Sequence, residues 1–168
     1  MRLFFALWPP AEAARALSAW AKAVQQGAGG RATAEATIHL TLAFLGDADP
    51  ARAAAASRRV RGRSFELPID AAKYWKHNKI VWVGPAAMPV ALQALVKDLH
   101  ESLRSDGFVL EDRPFTAHIT LVRKAGAPAS IPPLPEVRWP VAEFVLVRSI
   151  PGTGGSRYDP VERFPLGR

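Results

Sequence analysis

The sequence contains no cysteine, which excludes a disulfide framework and any thiolate metal site and favours a reducing compartment. It also lacks an apolar run of membrane-spanning length. The apolar start MRLFFALWPP stops at Pro9-Pro10, too soon for a signal-peptide core followed by a cleavage site, so a soluble, cytoplasmic protein with no membrane contact is expected. Acidic residues are in the minority, 15 against 22 Lys and Arg, for a net charge of +7. That surplus points to an anionic partner, of which nucleic acid is the commonest. Threonine and histidine are scarce, six and four residues, so where they stand is informative.

At 168 residues and 49% hydrophobic content, the chain is long enough for one domain, or two small lobes, to bury a core without staples. Residues 2–7 read as a strand ended by Pro-Pro, and residues 11–26 as a helix that aligns Leu17, Trp20 and Val24. A break at 27–31 leads to a strand over 38–45 and an Ala-rich helix over 50–60. Residues 65–75 and 79–83 read as a hairpin around His77-Asn78, and 88–105 as a helix with a broad apolar stripe ended by Gly107. A strand over 116–123, a Pro-rich surface loop over 125–135 and a terminal hairpin of 139–150 with 157–164 complete the chain. The order of elements predicts an α+β fold with antiparallel pairing.

Two short segments repeat one pattern: Thr37-Ile38-His39-Leu40-Thr41-Leu42 and Thr116-Ala117-His118-Ile119-Thr120-Leu121. In an extended strand each His would share a face with its two Thr neighbours while the apolar residues pack behind. The copies fall one in each half, which suggests two similar lobes that each contribute a strand to a shared cleft. Two imidazoles on either side of a substrate form an acid-base pair near neutral pH, and hydroxyls two residues away can donate to anionic oxygens held between them. This combination suits phosphodiester chemistry that needs no metal and no cofactor. Arg123, on the second motif strand, is placed to neutralise phosphate charge.

Other residues carry plainer expectations. Lys124 reads as solvated, His77 as a turn residue and His100 as a helix residue outside the chemistry. Phe4, Phe5, Phe44 and Phe115 read as core, whereas Trp75, beside Lys73 and Lys76, is the better candidate for stacking on RNA. Two basic clusters, Arg58 to Arg63 and Lys73 to Lys79, are candidate guides for a polyanion. A His-based metal site is the weaker alternative, because no third ligand stands at metal-binding spacing beside either His.

The segments HLTLAFLG and HITLVRK resemble the paired signatures of the 2H phosphoesterase superfamily. The surrounding chain is similar to its bacterial RNA 2′,3′-cyclic phosphodiesterase branch, also called 2′-5′ RNA ligase. The similarity extends through RLFFAL, GFVLEDRPFTAHITLVR, EFVLVRS and RYDPVERFPL. It implies one bilobal domain over residues 1–168, with pseudo-twofold symmetry around a central cleft, helices on the outer faces and a monomeric state. It also implies hydrolysis of an RNA-terminal 2′,3′-cyclic phosphate to a 2′-phosphate, with reverse 2′-5′ ligation open to the same site. His39 would be the proton donor to the leaving 3′ oxygen, His118 the base that activates water, and Thr41 and Thr120 the holders of the phosphate oxygens. A cyclic phosphate built on a 2′ hydroxyl restricts the substrate to RNA or a ribonucleotide. Another cyclic or 2′-5′ linked nucleotide as substrate, or an RNA-binding module without catalysis, remains the alternative.

Overall fold

From Leu3 onward strand β1 (Arg2–Leu7) is buried on both faces, which its unbroken apolar run requires of a central strand. It lies between β3 (Leu40–Asp47) and β9 (Glu143–Ile150), and β10 (Arg157–Pro165) extends the sheet beyond β9. A second four-stranded sheet runs in the order β2 (Arg31–Ala32), β7 (Ile119–Arg123), β6 (Ile80–Gly84), β5 (Ala71–Trp75). All neighbours in both sheets are antiparallel. A short pair, β4 (Phe65–Glu66) with β8 (Pro140–Val141), stands apart. This computed structural model describes residues 1–168.

Three helices, α1 (Ala11–Ala28), α2 (Pro50–Arg58) and α3 (Val90–Ser105), cover the sheet faces opposite the cleft. Asp49 caps α2 by accepting from the Ala51 amide, and Pro50 occupies the first helical position, where no amide hydrogen is needed. The helices are exchanged between the sheets. α1 leaves β1 of the first sheet yet packs against β2 and β7 of the second, whereas α3 links β6 to β7 of the second yet packs against α2 and β3. One core of 33 buried residues therefore draws on both sheets and all three helices. No helix is long and apolar enough to cross a membrane.

The α+β, two-lobed architecture agrees with the expectation from sequence, and several details differ. Residues 65–75 do not form one strand, because Pro68 has no amide hydrogen for a ladder and the chain changes sheet there. The strands expected over 38–45 and 116–123 begin only at Leu40 and Ile119, after the motif histidines. A 3-10 turn, Glu35–Thr37, occupies the approach to the first. Phe44, expected in the core, is 62% exposed.

Candidate active site

Each motif histidine sits one residue ahead of its strand, held by the carbonyl of the threonine two residues earlier. His39 Nδ1 lies 2.7 Å from the Thr37 oxygen, and His118 Nδ1 lies 2.9 Å from the Thr116 oxygen. A carbonyl only accepts, so Nδ1 carries the hydrogen in both rings and the neutral imidazole presents the lone pair of Nε2. Thr41 Oγ1 stands 3.0 Å from His39 Nε2 and donates to it. Thr37 thus acts through its main chain, its hydroxyl being turned onto the Ala34 oxygen at 3.0 Å. At the first motif this departs from the expectation that both flanking threonines share the histidine's strand face, because Thr37 ends a 3-10 turn rather than lying in a strand.

The strands then do the same thing twice. On β3 the pairing steps from Thr41 opposite Ala6 to Ala43 opposite Phe5, leaving Leu42 as an extra residue. On β7 it steps from Thr120 opposite Trp82 to Val122 opposite Val81, leaving Leu121 extra. A bulge reverses the alternation of faces that follows it. Arg123, which strict alternation from His118 would send to the core side, is thereby turned onto the face of His118 and Thr120. Phe44 is its counterpart three residues beyond Thr41, and it shares the cleft face with its cross-strand partner Phe4.

The carbonyl of each extra residue has a donor from far along the chain. His100 Nε2 on α3 donates to the Leu42 oxygen at 2.8 Å, and the Thr33 amide donates to the Leu121 oxygen at 2.8 Å. Thr33 Oγ1 also donates to the Thr120 oxygen at 2.9 Å. His100 therefore shapes β3 from the core side. His77, exposed in the β5–β6 turn, rests against Trp75 with ring centres 5.6 Å apart.

Around His39 the cleft face of the first sheet is aromatic. Trp8 stacks on the imidazole at 5.0 Å and 12°, Phe4 lies at 5.1 Å, and Tyr158 meets it edge-on at 5.4 Å. Burial pushes the His39 pKa down from 6.5 to about 4; the bond to Thr37 opposes this, and the charges of Arg123 and His118 add to it. His118, against Trp75 at 4.8 Å and Trp82 at 6.0 Å, is shifted down as well. Burial is again the main cause, the bond to Thr116 opposes it and Arg123 adds to it. One guanidinium thus acts on both rings, so the residues singled out from sequence converge on one place. Sequence reasoning passed over Trp8 and Tyr158, which lie outside the repeat. They help to line a cavity of about 130 Å³ beside His39, floored by Val145 and Val147.

A model of the LigT-like phosphoesterase family matches the chain twice, over residues 7–82 and 83–158, and each match contains one of these histidine sites. The chain belongs to this family. Among LigT-like relatives, the RNA 2′,3′-cyclic phosphodiesterase of Escherichia coli is 36% identical, over 98% of this chain and 96% of its own length. The Thermus thermophilus protein of the same name is 34% identical, over 99% and 90%. Crystalline E. coli LigT complexed with 3′-AMP superposes with a TM-score of 0.91 at 34% identity, covering 99% of this chain and 98% of that one. The bilobal LigT-like fold, with two antiparallel sheets flanking the cleft, is therefore that of this chain.

Proposed function

We propose that the chain hydrolyses 2′,3′-cyclic phosphate ends of RNA to 2′-phosphates, acting as a monomeric unit over residues 1–168 in which both rings come from one chain. The observation that carries this reading is the twofold repetition of an imidazole anchored through Nδ1, with Nε2 facing a threonine hydroxyl in His39 and without a partner in His118, both rings under the influence of Arg123. His118 Nε2 takes a proton from water as the water oxygen attacks phosphorus. The bond from phosphorus to the 3′ oxygen breaks, and His39 Nε2 delivers a proton to that oxygen. Thr41 and Thr120 donate hydrogen bonds to the non-bridging oxygens, and Arg123 offsets the charge that develops on them. The terminal nucleoside, which carries the leaving oxygen, lies on the aromatic His39 side.

Without an anion in the cleft both rings are neutral at neutral pH, which suits the base and leaves the acid unprotonated. The phosphate supplies the missing condition, because its negative charge raises the pKa of an imidazole beside it. The same machinery serves 2′-5′ ligation when a 5′ hydroxyl replaces water: its oxygen attacks the cyclic phosphate, the 3′ oxygen leaves protonated, and a 2′-5′ linkage forms.

The test is incubation with RNA ending in a 2′,3′-cyclic phosphate in the presence of a chelator, with products identified by mass and phosphatase sensitivity. A 2′-phosphate end is expected. An unchanged cyclic end, or a 3′-phosphate, would overturn the assignment.

A further inference from the structure

The two cleft faces differ in chemistry although they are built alike. The first sheet presents Phe4, Ala6, Phe44, Val145 and Val147 around His39. The four strands of the second sheet contain no acidic residue at all. Their register puts Lys73 opposite Trp82, and Trp75 two residues further along the same face. Arg31 lies directly opposite Arg123. Like charges in that position destabilise a sheet, and neither guanidinium has an acidic partner. Gly30 permits the approach, since its φ is +82° and a Cβ there would overlap the Arg123 carbonyl oxygen. At one end of this sheet Lys79 and Lys124 both adopt left-handed backbone, φ 57° and 55°, and the Ala125 amide donates to the Lys79 oxygen at 3.0 Å. Left-handed lysines are uncommon and strained, and such residues gather at functional sites.

In the other basic cluster Arg58, Arg59 and Arg61 are held internally. Arg58 pairs with Glu162 at 2.6 Å and Arg59 with Asp106 at 2.9 Å, from the end of α2 on the side away from the cleft. Lys73, Lys76 and Lys79 are exposed and unpaired around Trp75, whose ring touches that of His118.

We propose that the RNA strand leading into the cyclic end lies across this second sheet, one base stacked on Trp75 and its phosphates held by Lys73, Lys76, Lys79 and Arg31. An aromatic platform beside free cations is the general recipe for single-stranded nucleic acid. The inference rests on the proposed reaction and adds to it a polymer track confined to one lobe.

Two measurements separate the track from the reaction. In the first, fluorescence anisotropy of a labelled single-stranded RNA ending in a 3′-phosphate is followed against salt for the wild type and for the triple variant Lys73→Ala, Lys76→Ala, Lys79→Ala. The variant is expected to bind at least tenfold more weakly, with a slope of log affinity against log salt shallower by about 2, since each single-strand contact contributes about 0.7. Arg58→Ala should keep the wild-type slope. In the second, the ratio of kcat/KM for an RNA oligonucleotide to that for a cyclic mononucleotide should fall at least tenfold in the triple variant. Unaltered RNA affinity and slope would overturn the track. Absence of turnover in the wild type would instead overturn the reaction, with the anisotropy result still deciding the track.

Discussion

At the scale of single residues, the anchoring of Nδ1 on a main-chain oxygen separates these two histidines from the other two. Replacing His39 or His118 by Ala should lower kcat by about 10²- to 10⁴-fold, the usual worth of one proton transfer, with little loss of folded protein. Single-turnover kinetics and circular dichroism check both halves of this expectation. A second prediction follows from the His39 pKa of about 4. The unfolded chain, with an ordinary histidine near 6.5, takes up a proton before the folded chain does, so stability rises with pH through this interval. The contribution is fully present above pH 6.5 and is lost as pH falls toward 4, about 3 kcal/mol in all at 1.36 kcal/mol per pH unit. Urea unfolding at pH 7 and pH 4.5 should show this drop in the wild type, and His39→Gln should remove most of it. An equal drop in both proteins would place the acid sensitivity elsewhere.

At the scale of elements, the bulges determine what the motifs can reach. The Thr-x-His-x-Thr repeat was legible because two scarce residue types recur at matching offsets, and the helix over 88–105 was legible from its stripe. The phase change after Thr41 and Thr120 was not. Leu42 and Leu121 look like any apolar strand residue, and the donors that satisfy their carbonyls, His100 and Thr33, are distant in sequence. Strict alternation likewise left Phe44 in the core rather than in the cleft. Gly30 tests this layer of the structure. Gly30→Ala combines an unfavourable positive φ with overlap on the Arg123 carbonyl, so the β2–β7 pair must move and carry the guanidinium with it. Activity should fall roughly as far as in Arg123→Ala, by about 10²-fold, the scale of losing one charge-stabilising group. The double variant should be little worse than either single one, because both remove the same interaction. Additive losses would show that Gly30 acts independently of Arg123. His100→Leu should cost about 1–3 kcal/mol by leaving the Leu42 carbonyl buried without a donor, readable as a shift in urea midpoint.

At the scale of the molecule, the repeated halves suggest two bodies, yet the packing makes one. The spacing of the motifs made two lobes legible, but the exchange of helices was not, since an amphipathic stripe shows that a helix packs and not against what. α1 covers the sheet its own strand does not belong to, and α3 reaches across to β3. Neither sheet can keep its covered face dry if the other unfolds, and the shared core of 33 residues has no internal boundary. Tryptophans report from both sides: Trp8 lies beside His39 on the first sheet, and Trp82 lies buried beside His118 on the second. In each of two variants that retain one of these tryptophans, the other four replaced by Phe, the fluorescence and far-ultraviolet circular dichroism transitions in urea should share one midpoint, as two-state unfolding requires. The slopes of the two transitions should also match. A fluorescence midpoint separated from the circular dichroism midpoint of the same variant would mean that the lobes fold on their own and that the cleft between them is held by contacts weaker than those of a common core.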